Sequence, residues 1–494
     1  KPGLKVPVVV DRLGLESKPQ YITLAARPCG SFSTANNDVG GCECITGASV
    51  VSHDAEGADV CALCTSGYVE NGKCRQVCPI GAFCTAGTIS AAPNFWSNLS
   101  ATQEIPLFTR CPPQYCATDL NAAVLCQPNR QGVLCGECVA GHSVTLGSSK
   151  CVKDELCADG RWIIPLLIVL LSITIAYLLL KKQVTPDSES SGQFRFEVFK
   201  LLSFYVQMCG LVGLPDHGSS IKSTGSELSS FLVGLSNLQV RTFDSCLWPG
   251  INSWDQLMSS VVPGLSGLVM LSCVMAANFV ACRRRFDRQR YIDAAFTFSL
   301  LVYSSLLVAA FDPLRCVEVF STQRQLVVFH AGETQCPPPH AGMFYMLVVV
   351  CAVYPLFLAN AARKGYSHGL VRHFKDRLWF WESLLLFHRL FLVCTRSFAS
   401  DPLIRLWLNL MVCILFMAAQ LHSKPFKHTA ANLLQTFLLC WLVLQIVLSV
   451  LSASLDALSV NPQSNESSHL GPVQAASAVV TEAQFWLFLT PIIV

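Results

Sequence analysis

Cys135-Gly-Glu-Cys138, followed by His142 and Cys151, has the residue types and opening spacing of a zinc knuckle. A Cys-x-x-Cys presents two thiolates to one ion, and a later His and Cys complete a tetrahedral set. In an oxidising compartment the same cysteines are halves of disulfides instead. A second group able to do chemistry lies far along the chain, inside apolar sequence: the acid Glu382 and the cation Arg389. On a helix they share one face two turns apart, about 10 Å along the axis. That is too far for a direct pair, so each is expected to meet a neighbouring helix. The compartment and the elements that hold these groups decide what they do.

The bulk composition points to a membrane. Of 494 residues, 52% are hydrophobic and 14% charged, and the mean hydropathy is +0.45. A soluble chain carries roughly 25% charged residues. The net charge of +3 gives no reason to expect a nucleic-acid partner. A bilayer core needs about 20 apolar residues per helix. Runs at 162–180, 196–214, 260–282, 291–311, 342–362, 380–398, 403–422 and 432–454 meet that test, and a ninth begins near Phe485. Glu197 and Lys200 make the second run the least regular.

Basic residues alternate along the loops. Lys181 and Lys182, Arg283 to Arg290, Arg363 to Arg377, and Lys424 and Lys427 lie on one side. Loops 215–258, 313–341 and 455–481 are poor in them. The positive-inside rule then puts the N-terminal third outside the cell. Two N-x-[S/T] sequons, at Asn98 and Asn465, fall on that same outer side, where an N-linked glycan can be attached.

The expected organisation follows. Residues 1–28 alternate apolar and polar as a pair of β-strands would, and read as the end of an upstream β-rich ectodomain. Residues 29–160 form extracellular cysteine-rich modules, and 161–454 a multi-span domain. Residues 455–481 form an extracellular loop, and 482–494 the start of a further span. The fold class is thus a small disulfide-rich extracellular domain with a β-rich N-terminal remnant, followed by an all-α polytopic membrane domain of about 8–9 helices.

Fifteen of the 25 cysteines fall between Cys29 and Cys157: Cys29, Cys42, Cys44, Cys61, Cys64, Cys74, Cys78, Cys84, Cys111, Cys116, Cys126, Cys135, Cys138, Cys151 and Cys157. This region is rich in Gly, Ser, Pro and Asn and lacks a sizeable apolar core, so disulfides would supply what burial cannot. An odd number cannot pair internally. Cys246, in an outer loop, is a candidate partner for the odd one, and Cys316 and Cys336 could bridge each other. Zinc at Cys135, Cys138, His142 and Cys151 is the minor reading, and no metal or cofactor is expected. Cys209, Cys273, Cys282, Cys351, Cys394, Cys413 and Cys440 lie in or beside spans, where a thiol behaves as a small hydrophobe.

"CPPQYC" (111–116) followed by "NRQGVLCGECVAGHSVTLGSSKCVKDELC" (129–157) resembles the ephrin-receptor-like or epidermal-growth-factor-like module of large surface proteins from protists, algae and early animals. There the module leads directly into a multi-span region. "FKLLSFYVQMCGLVGLP" (199–215), "DSCL" (244–247), "WFWESLLLFHRLFLV" (379–393) and "AAQLHSKPFKHTAANLLQTFLL" (418–439) resemble the transient-receptor-potential-like membrane domain shared with fungal proteins of that name. The resemblance implies a sensory or channel-like helical domain below a large ectodomain, with an acid and an arginine at the spacing of Glu382 and Arg389. It also implies that some members anchor mastigoneme-like filaments on flagella.

Within the spans, Gln207, Asn278, Asn360, Asn409, Gln420 and Gln445 are candidate interhelical hydrogen-bonding groups. Glu382 and Arg389 read more readily as structural than as gating residues. Pro355 is a candidate kink. Trp379, Phe380 and Trp381 are expected to anchor the inner interface beside "RHFKDR", read as an amphipathic, lipid-facing connector.

A channel needs a filter, and 455–481 contains none that is recognisable. Nor does the chain hold an arginine ladder. An enzyme is not expected, since no H-E-x-x-H, G-x-S-x-G or Walker loop occurs. The expectation is a multi-pass protein of a plasma or ciliary membrane that anchors or senses through its ectodomain. Its partners would be lipid and other extracellular or membrane proteins. The alternative is a cation channel, which implies a homotetramer.

Overall fold

The computed structural model describes residues 5–157 with breaks (the longest at 24–32, 99–106 and 118–125), 191–212, 246–281 less 247 and 260, 288–399 less 321–323 and 367–371, 401–459, and scattered positions elsewhere. The expected span at 162–180 lies outside these residues save for Val169 and Ile173. The chain forms two compact units. One comprises Lys1–Arg110 with 119–121 and 319–324; the other holds the remainder.

The first unit is a string of short antiparallel hairpins. Strand Lys5–Val8 pairs with Gln20–Thr23, and Asp11–Arg12 pairs with Leu15–Glu16 inside it, so the alternating stretch does form a nested hairpin. Further hairpins join Ser33–Asn36 to Gly41–Cys44, Ala48–His53 to Asp59–Leu63, and Ala82–Thr85 to Thr88–Ala91. Two-stranded hairpins are marginal alone. Here Cys44–Cys61, Cys64–Cys74 and Cys78–Cys84 staple them. Gly81 sits at φ +85°, and a Cβ there would meet the Phe95 ring at 2.4 Å, so both backbone and space require glycine.

The second unit contains the last cysteine module and, among the described residues, eight helices: α1 (Ser191–Val212), α2 (Ser253–Ser259), α3 (Val262–Ala281), α4 (Arg288–Phe311), α5 (Ala341–Arg363), α6 (Trp381–Phe398), α7 (Pro402–Ser423) and α8 (Thr429–Ser459). Among the described residues, six helical segments are long and apolar enough to cross a membrane: Ser253–Ala277, Tyr291–Leu314, Ala341–Arg363, Asp376–Phe398, Leu403–Ser423 and Thr429–Leu455. They coincide with the third to eighth expected spans, so this is a multi-pass membrane protein with a disulfide-rich ectodomain. The least regular expected span, 196–214, is the helix α1, whose apolar part is Val198–Val212.

Local chemistry sets the helix ends. Asp401 caps α7, accepting from the Leu403 and Ile404 amides at 2.7 and 3.2 Å, with Pro402 at the first helical position. Lys424, at φ +43°, ends α7 in a left-handed turn ahead of Pro425. α4 runs through the interior, burying Phe298, Val302, Tyr303 and Leu307. α5 presents Met346, Val350, Val353 and Phe357 outward, as a helix facing lipid does. Small residues permit close approach. A Cβ on Gly267 of α3 would lie 2.1 Å from the Phe298 ring of α4. α5 continues through Pro355 as one helix.

Two expectations at the inner face are corrected. Trp381 is no interfacial anchor: it is 1% exposed and packs on Phe416, ring centroids 5.7 Å apart. The connector at 372–377 does not turn its apolar side to lipid either. Phe374 is buried, its ring 5.0 Å from Phe426, and the two residues form an antiparallel bridge. The bonds Lys375 N–H to Pro425 O (2.8 Å) and Lys427 N–H to His373 O (3.0 Å) tie the α5–α6 and α7–α8 connectors together. In both places an aromatic ring finds more contact inside the bundle than at its rim.

Candidate functional site

The four residues of the zinc-like set part company. Cys135 bonds Cys126, and Cys138 bonds Cys151. His142 is half-buried, its Nδ1 3.5 Å from the Ala140 carbonyl. Among the described residues no group of three His, Cys, Asp or Glu is arranged to hold a metal ion. The module is closed by Cys111–Cys116 as well, whose Cys116 sulfur lies 3.3 Å from that of Cys135. Arg130 pins the interior: it donates to the Ser149 and Cys135 carbonyls at 2.6 and 2.8 Å, and stacks 3.7 Å from the Tyr115 ring.

This module is joined to the outer ends of the helices. Cys157 bonds Cys246, and Cys316 bonds Cys336, in the loops before α2 and between α4 and α5. The Gly250 amide donates to Ser143 Oγ (2.7 Å), the Val144 amide to the Ile251 carbonyl (3.0 Å), and Ser253 Oγ to the Gly136 carbonyl (2.5 Å). Gln256 Nε2 donates to the Thr145 carbonyl (2.8 Å). Val144, Cys151 and Ile251 share one small apolar cluster. The hairpin Arg324–Val328/Ala331–Gln335 receives the module's other side. There Tyr115 Oη donates to the His330 carbonyl (3.2 Å), and Gly332 is so close that a Cβ would lie 2.1 Å from Val133 O. Ser143, Gln256, Tyr115 and Gly332 have no motif to announce them, because each of these bonds has a backbone group on at least one side, which any residue can supply.

Glu333 faces the same junction. Partial burial, and then the neighbouring Glu137 of the module and Asp255 of α2, push its carboxyl above the ordinary range.

The remaining cysteine candidates are placed as follows. Cys29 lies outside the described residues, as does the side chain of Cys42; Cys44, Cys61, Cys64, Cys74, Cys78 and Cys84 are bonded as given above. Cys209, Cys273, Cys351, Cys394, Cys413 and Cys440 are free thiols. Asn98 is half-buried, and Asn465 lies outside the described residues.

Inside the bundle, Glu382 and Arg389 meet different helices. Lys200 of α1 donates to Glu382 Oε2 at 2.6 Å. Arg389 Nη1 donates to the Leu300 carbonyl of α4 (2.8 Å) and to Ser304 Oγ (3.4 Å), with the guanidinium 5.0 Å from the Phe204 ring. Gln207 Nε2 donates to the Leu301 carbonyl (2.8 Å), so α1, α4 and α6 share one polar seam. Gln420 is buried, and neither polar atom of its amide has a partner among the described residues. Sequence reading passed over His388, which stacks on Phe416 with ring centroids 4.4 Å apart; its position beside Arg389 in an apolar run was the available signal. Lys200, Glu382, Arg389 and His373 line a cavity that opens near the joined connectors.

The chain matches no protein-family model, no curated protein and no solved structure.

Proposed function

We propose that the protein is a cell-surface receptor or anchor whose last cysteine module hands load from the ectodomain to several membrane helices at once. The observation that supports this most directly is the junction of that module with two outer loops, through Cys157–Cys246 and the bonds around Gly136, Ser143 and Val144. A flexible tether would load only the next span, whereas this junction also reaches α2 and the α4–α5 hairpin. The reading puts the module outside the cell and the basic connectors inside, in a plasma or ciliary membrane, with filament, matrix or neighbouring-cell proteins as partners. It includes no catalytic step. The ephrin-receptor-like and transient-receptor-potential-like resemblances agree with such an assembly, and mastigoneme-like filaments are one cargo they suggest.

Single-molecule pulling on the N-terminal end of bilayer-embedded protein tests the reading. A separate force step is expected before any helix is extracted, and it should vanish in Gly332→Ala combined with Cys157→Ser and Cys246→Ser. Identical traces would overturn it. Unitary currents from reconstituted tetramers would favour the cation-channel alternative instead.

A further inference from the structure

We propose that the cavity between α1, α6 and the joined inner connectors binds a phosphate monoester, the headgroup of an anionic inner-leaflet lipid or a soluble ester of the same chemistry. The lining sets Lys200 and Arg389 against the single carboxylate of Glu382, with His373 alongside, so the site holds an excess of positive charge. Lys200 carries three N–H donors, and its contact with Glu382 occupies one. Arg389 is 6% exposed, its Nη1 is held by α4, and its Nε–H is buried without a partner among the described residues. A buried guanidinium donor without an acceptor is costly, and a phosphate oxygen is the acceptor that guanidinium geometry matches best.

The surroundings agree. Phe374 and Phe426 close one side, fixed by the bridge between connectors. Arg372, Lys375, Arg377, Lys424 and Lys427 stand exposed on those connectors. Basic pockets between helices at the cytoplasmic face are where phosphorylated headgroups are held. Glu382 then has a specific part: it holds the Lys200 ammonium beside the cavity while leaving two donors free.

The inference rests on the inward orientation proposed for this face. Labelling of single cysteines placed in the connectors reads that orientation separately, so its failure is distinguishable from failure of the site. The test of the site uses the full chain in phosphatidylcholine nanodiscs, reading the thermal midpoint. Phosphatidylinositol phosphate should raise it by about 3 °C at saturation, and phosphatidylserine, which lacks a monoester, should raise it far less. An equal rise with phosphatidylserine assigns the effect to surface charge and overturns the proposal. So does no rise with any phosphate. Inositol bisphosphate or inorganic phosphate matching the lipid would assign the site to a soluble ester, and silence from both would assign it to the headgroup. Arg389→Lys, which removes the Nε fork but keeps the charge, should lose most of the rise. His373→Gln, on the connector rather than in the bundle, should lose part of it. Full retention in both variants overturns the site.

Discussion

The last cysteine module and the helical bundle use the same residue for opposite purposes. In the module, Cys111, Cys116, Cys126, Cys135, Cys138 and Cys151 are all bonded. In the helices, Cys209, Cys273, Cys351, Cys394, Cys413 and Cys440 are all free. The module lies in water with few aliphatic side chains, so covalent closure replaces a core. The bundle lies in lipid, where burial drives little association, and packing with sparse polar contacts holds the helices. The solvent around each region, more than the residue type, decides what a cysteine contributes.

The sharpest way to break this comparison is to remove sulfur from each side. Cys135→Ser should cost the module about 2–5 kcal/mol, seen as protease cleavage within 111–157 and lower surface expression. Cys273→Ala, on an exposed position of α3, should shift the thermal midpoint by less than about 0.5 kcal/mol equivalent. Equal effects would show that the two regions are held alike.

Much of this was legible in the chain. Hydropathy located the third to eighth spans because a lipid solvent imposes one demand, about 20 apolar residues, that any window can count. Parity pointed at Cys246, because an odd set needs an outside partner, and the shared outer loop pointed Cys316 and Cys336 at each other. The junction between module and loops was not legible, since Val144, Ile251 and Gly136 contribute backbone groups that any residue carries. Trp381 misled for a related reason. An aromatic at the end of a span fits an interface and a core equally well, and only the arrival of Phe416 from α7 decides. The partner of Glu382 was hidden too, because Lys200 is 182 residues away in the chain and looked like a flaw in its own span.

The polar seam of the bundle sharpens the comparison at intermediate size. Glu382→Leu should cost about 2 kcal/mol, below the range for a wholly buried pair because the Lys200 side chain is 22% exposed. Lys200→Met together with Glu382→Leu should recover part of that loss, since the Lys200 ammonium is no longer left without its carboxylate, while Arg389 keeps its bonds to Leu300 and Ser304. Thermal melting in detergent reads both variants. If the double variant is worse than the single one, the seam is bonded as tightly as the module and the contrast between the regions weakens.

The smallest effect belongs at the junction, where the two regions meet and water still reaches. The Glu333 carboxyl is held above its ordinary value, by partial burial first and then by Glu137 and Asp255. Among the described residues no ion pair offsets these acids. A raised carboxyl favours the folded state in its protonated form. Its contribution is therefore fully present below the ordinary carboxylate range and is lost as pH rises through the raised value. The junction should tighten on mild acidification, and Glu333→Gln should remove that part of the dependence while stabilising the junction at neutral pH. Protease access to 111–157, followed from neutral to mildly acidic pH in wild type and variant, checks the sign. Identical profiles would mean that the acids are too well hydrated for their proximity to matter, and that the module's attachment owes nothing to charge.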